Sequence, residues 1–150
     1  MIRSPVVLAV LVACGGSAVD AGPAYTPGMA YALHGIAPEC LITKTPAAAV
    51  KVTHSCSGPA GTVTAQLGDG DRLRHLEIAL VSTTLPQAKA HLEPALKPIL
   101  AKADVDAVLA QLTKMRTGDR AQLVLGGATV NVAAGGPSQM APEYSLDVVW

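Results

Sequence analysis

The stretch Thr62–Gln87, TVTAQLGDGDRLRHLEIALVSTTLPQ, holds two hydrophobic periods side by side. Val63, Ala65 and Leu67 alternate with Thr62, Thr64 and Gln66. Leu76, Ile78 and Leu80 then alternate with His75, Glu77 and Ala79. Period two is the pattern of half-buried strands, and Gly68-Asp69-Gly70-Asp71 between the two runs reads as the tight turn of a hairpin. At Thr84 the period changes. Thr84-Leu85-Pro86-Gln87 fits a capping box, with proline where the first helical turn tolerates it.

Toward the C-terminus, Leu85, Ala88, Leu92, Leu96, Ile99 and Ala103 recur at helical spacing. Pro94 and Pro98 each remove a backbone donor, so a kink or restart is expected there. Asp104 reads as the cap of a second helix with the stripe Val105, Val108, Leu109, Leu112 and Met115, ended by Gly118. Strands return around the two-residue hairpin signal Gly126-Gly127, with Leu123 and Leu125 before it and Val130 and Val132 after it. Tyr144, Leu146 and Val148 close the chain before Trp150. Strands, a helical pair, then strands predict an α+β fold: an antiparallel sheet with the helical pair on one face.

Toward the N-terminus, Val50, Val52, His54 and Cys56 share one side of a strand, while Lys51, Thr53 and Ser55 share the other. Glu39–Lys44 is the expected partner. Cys40 and Cys56 are equidistant from Ala48, so an antiparallel pairing sets them opposite one another within bridging reach.

The first residues read as an address. Met1-Ile2-Arg3 is a short positive start, and Val6–Ala13 is an unbroken apolar run. Eight residues rise only about 12 Å as a helix, too little to cross a bilayer, so the segment reads as an export signal. Leu11-Val12-Ala13-Cys14, followed by Gly15-Gly16-Ser17, resembles the lipobox of bacterial lipoproteins. That resemblance implies a signal peptide over 1–13 and a Cys14 acylated with a palmitate-type chain as the mature N-terminus. In a host with two membranes, Gly15 after the cysteine resembles the outer-membrane sorting class. Cleavage after Ala21, giving a soluble secreted or periplasmic protein, is the alternative. Residues 14–28, rich in Gly, Ala and Pro, read as a flexible tether, and 29–150 as a single domain.

Cysteine counting agrees with export. Three cysteines would leave an odd thiol, but lipidation of Cys14 leaves Cys40 and Cys56 as a pair. A bridge closing a loop of roughly fifteen residues adds about 3 kcal/mol in the chain-entropy view. A zinc pair or redox dithiol would need CxxC spacing or clustered ligands, neither visible in the sequence.

Composition narrows the function. Formal net charge is +0 with no basic stripe, which argues against nucleic acid as a partner. Aromatic residues are 3% of the chain, leaving few stacking platforms for bases or sugars. Gly68-Asp69-Gly70-Asp71 occurs once and lacks the other ligands of a calcium loop. No GxSxG, phosphate loop or metal spacing is present, so no catalytic residue, metal or cofactor is assigned. His75 and Glu77 share one side of a strand and are the weak candidates for a functional pair. His54, on the apolar side of its strand, is expected to be buried and hydrogen-bonded. His34 and His91 stand isolated in the sequence, with His91 expected on the exposed side of its helix. The expected function is an envelope-anchored, non-catalytic domain that binds another envelope protein, an inhibitor or immunity role being one variant. A carrier of a small apolar ligand and a hydrolase with a dispersed site are the alternatives.

Overall fold

The computed structural model describes residues 22–81, 83–135 and 143–150. The export signal, Cys14 and the cleavage alternative at Ala21 therefore lie outside the described residues. Those residues form an α+β domain of helix α1 (Pro27–His34), strands β1 (Glu39–Lys44), β2 (Val52–Gly58), β3 (Gly61–Leu67) and β4 (Leu73–Leu80), helices α2 (Leu85–Leu96) and α3 (Lys102–Lys114), and strands β5 (Arg120–Leu125), β6 (Ala128–Ala134) and β7 (Tyr144–Val149). The sheet has seven strands in the order β1-β2-β3-β4-β7-β6-β5, and every neighbouring pair is antiparallel.

The expected alternation sets the two faces of the sheet. Val63, Ala65 and Leu67 of β3 and Leu76, Ile78 and Leu80 of β4 are each 3% exposed or less. Val130 and Val132 of β6 and Leu146 and Val148 of β7 continue the same layer. Against it lie Ala88, Leu92, Ala95 and Leu96 of α2, and Val105, Val108, Leu109 and Leu112 of α3. Burying each such aliphatic side chain contributes about 1.5–3 kcal/mol, so this layer is the chief source of stability. A shift of register at Gln66/Leu67 adds Leu73 to the buried set. Among the described residues no helix is long and apolar enough to cross a membrane.

Local signals explain the joints. Thr84 and Gln87 make both bonds of the capping box at the start of α2. The Gly126-Gly127 turn joins β5 to β6, with Gly127 at φ +83° where a side chain would be strained. Gly61 opens β3 at φ +151°, and a Cβ there would stand 1.9 Å from the Ala79 carbonyl oxygen. The Cys40–Cys56 disulfide joins β1 to β2 at directly opposed positions, as the symmetric spacing about Ala48 implies.

Four expectations are corrected. Residues 22–28, read as the end of a tether, belong to the domain: Ala24 bridges to Arg72, and Thr26 caps α1 by accepting from the Met29 N–H. A helix that buries Met29 and Leu33 therefore precedes the first strand. Helix α3 begins at Lys102 after an extended Ala101, which puts Asp104 in its first turn, where its charge complements the helix dipole. It ends at Lys114; Gly118 serves the following turn at φ +92° and donates to the Ala134 carbonyl. Ala103 sits exposed on α3 and not on the stripe of α2, because the chain breaks after Leu96 ahead of Pro98.

Candidate functional site

With the helices on one face, the opposite face of the sheet is open and polar. Register brings side chains from five strands into one connected chain across it. His75 of β4 holds Asp147 of β7 through Nε2, and its Nδ1 lies 3.3 Å from Gln66 Oε1 on β3. The Asn131 amide of β6 donates to the other Asp147 oxygen at 3.4 Å, and Gln122 of β5 donates to Asn131 Oδ1 at 2.9 Å. Side-chain exposure of His75 and Asp147 is 32% and 34%, so the pair is partly shielded by its neighbours. Glu77, the other weak candidate, stands directly opposite both Thr64 and Asp147 and is exposed. Two carboxylates opposed across strands repel. The bonds from His75 and Asn131 hold Asp147 in place beside Glu77.

Beside this chain the face dips. Ala79, Ser145 and Ala133 occupy one row across β4, β7 and β6, ending at Arg120 of β5. Their small side chains leave an open depression of ≈ 430 Å³ lined by Arg120, Gln122, Asn131, Ala133, Ser145 and Asp147, among others. It offers one cation, one carboxylate and two amides along a fixed ladder, a set suited to polar recognition. Both His75 ring nitrogens face partners, so the imidazole would have to leave Gln66 or Asp147 before acting as a base. His75 is a strut of the network.

His54 departs from its expected environment. It is half-buried and meets Tyr25 edge-on, with ring centroids 5.0 Å apart and planes at 80°. Burial lowers its pKa, a charged His34 adds to the lowering, and Asp71 opposes both. The two rings, with Ile42, Lys44, Val52 and Asp71, border a second open groove of ≈ 390 Å³. Burial also raises the Tyr25 phenol pKa. His91 is half-buried and not on a freely exposed side.

At the disulfide the fold supplies what the sequence spacing did not. His34, at the end of α1, places Nε2 3.4 Å from Cys40 Sγ. Its nearest donor atom and both cysteine sulfurs lie within 4.8 Å of one another. The absence of a clustered third donor, argued from spacing, is therefore corrected. In the Gly68–Asp71 turn, Asp69 pairs with Lys51 at 3.6 Å, while Asp71 gives its carbonyl to the Tyr25 N–H.

The space between helices and sheet, where an apolar ligand would sit, is filled by Leu76, Ile78, Leu92, Leu96, Val108 and Leu112, each at 1% exposure or less. No family model, curated protein or solved structure matches the chain.

Proposed function

We propose that this chain is an envelope-anchored lipoprotein whose domain binds another envelope protein through the open face of its sheet. The observation that carries the reading is the cross-strand chain Gln66–His75–Asp147–Asn131–Gln122. Side chains tied to one another before contact have less freedom to lose on binding, so a partner meets a pre-ordered polar surface. The neighbouring depression gives that surface relief, with Arg120 at one side and Asp147 at the other. A disulfide in so small a domain is in keeping with an oxidising compartment outside the cytoplasm. The lipobox-like Leu11-Val12-Ala13-Cys14 supports the anchor.

Two experiments test the two halves. A fed fatty-acid label should appear on the wild-type protein and vanish in Cys14→Ser; a mature N-terminus at Gly22 would overturn the anchor. A photo-crosslinking residue at Thr62, on the open face, should trap one envelope protein, and Asp147→Ala should diminish that adduct. The same probe at Lys89, on α2, should trap none. Adducts from Lys89 alone would overturn the docking face.

A further inference from the structure

His34, Cys40 and Cys56 are delivered by three different elements: the end of α1, the edge strand β1 and the inner strand β2. Two of the three are held independently of the bridge. His34 sits between Leu33 at 1% exposure and Ile36 at 2%, which seat the end of α1 in the core. Cys56 is paired in the ladder on both sides, opposite Cys40 and Val63. His34 itself is exposed, so packing does not demand that its ring lie on the sulfur.

We propose that, in its dithiol state, this triad is a binding site for a thiophilic d¹⁰ cation, Zn²⁺. A dithiol reductant passes two electrons and two protons to the Cys40–Cys56 bond and itself becomes a disulfide. Zn²⁺ then displaces both thiol protons to solvent. Two thiolates and the His34 imidazole, through Nε2, make a Cys₂His set, and water takes the fourth tetrahedral position. Soft sulfur and imidazole donors select such an ion over Mg²⁺ or Ca²⁺, which take oxygen ligands. The hairpin end then has two closed states, a disulfide under oxidising conditions and a metal dithiolate under reducing ones. This site is separate from the open face and does not depend on the docking reading.

The test uses the full chain carrying Cys14→Ser, so that Cys40 and Cys56 are the only thiols, reduced with a phosphine. Co²⁺ should bind at one ion per chain, with thiolate charge-transfer and tetrahedral d–d bands, and Zn²⁺ should displace it. Loss of an outer-shell partner of a metal ligand costs roughly 10–100-fold in affinity, so His34→Ala should weaken binding by at least that much. His34→Cys, which restores a soft donor, should recover it. Hydrogen exchange covers the case in which reduction loosens the hairpin: Zn²⁺ should restore protection to β1 in the parent and not in His34→Ala. Absence of charge-transfer bands, equal affinity in His34→Ala, or failure of Zn²⁺ to protect a loosened β1 would each overturn the site.

Discussion

Ile78→Asp should unfold this domain at neutral pH, whereas Glu77→Lys, one residue away, should not destabilise it. Ile78 is 0% exposed and stands between Val63 and Leu146, at the centre of the layer that faces α2 and α3. Losing its side chain forfeits about 1.5–3 kcal/mol of burial. A carboxyl placed there must be neutral, and at pH 7 that protonation costs about 4 kcal/mol, given the usual aspartate value. The neutral acid still lacks hydrogen-bond partners among aliphatic neighbours, at about 1–3 kcal/mol. Together these losses are comparable to the roughly 5–15 kcal/mol that hold an average domain. Glu77 points the other way, opposite Asp147, so a lysine there exchanges a like-charge pair for an opposite one, favourable by about 0.2–1 kcal/mol. Thermal unfolding followed by near- and far-ultraviolet circular dichroism reads both variants. A cooperative transition in Ile78→Asp within a few degrees of the parent would refute the assignment of faces on β4, and with it the location of the open site.

Other perturbations probe the joints. Thr84→Ala removes the acceptor for the Gln87 N–H and should cost about 1 kcal/mol by urea unfolding; an unchanged midpoint would contradict the capping box. Gly61→Ala should lower Tm sharply, because its Cβ would meet the Ala79 carbonyl oxygen at 1.9 Å. Gly28→Ala, whose nearest atom would be 3.8 Å away inside α1, should raise Tm slightly. Burial lifts the Tyr25 phenol above its ordinary 10.0, so the unfolded chain releases that proton first. The resulting stability is fully present below pH 10.0 and is lost as pH climbs through the raised value; Tyr25→Phe should flatten that alkaline decline. Reduction of the disulfide in metal-free buffer should speed hydrogen exchange in Glu39–Lys44 far more than in β3 or β7, and uniform acceleration would contradict a local role for the bridge.

The elements that could be read from the sequence are those whose buried residues recur at a regular period. Strands β3 and β4 alternate cleanly, and α3 carries Val105, Val108, Leu109 and Leu112 on one stripe. Helix α1 was hidden because it buries only Met29 and Leu33, and Pro27-Gly28 at its start resembles loop composition. The pattern does not distinguish a capping Asp104 from one in the first turn, because an aspartate serves a helix start equally well in either place. The candidate site was half legible. His75 and Glu77 are visible as a polar side of one strand, but Asp147 lies 72 residues from His75 in sequence. The two meet only because β7 inserts between β4 and β6, a strand order that local patterns do not encode. His34 likewise reaches Cys40 through the turn after α1, whose direction is set by the burial of Ile36 and Ala37.

The two ends of the sheet are held by different forces, and this bears on both proposed sites. β4 and β7 are interior strands of the sheet, each with buried residues against the core, so the His75–Asp147 pair rides on backbone that is paired on both sides. Asn131 and Gln122 extend the network outward along β6, which still alternates buried residues, and along the edge strand β5, which has none. At the other edge, β1 buries almost nothing: Leu41 is 70% exposed, Ile42 is 51% exposed, and Cys40 is its one half-buried residue. Hydrophobic burial therefore cannot hold β1. What remains is its hydrogen-bonded ladder to β2 and the bridge, whose loop closure is worth about 3 kcal/mol for a loop of this size. That is enough to set the balance of a single edge strand and too little to decide the fate of the whole core. Covalent chemistry at Cys40 and Cys56 can thus loosen or close this edge while the open face stays ordered, so the proposed exchange of a disulfide for a metal ion would leave the proposed docking face undisturbed.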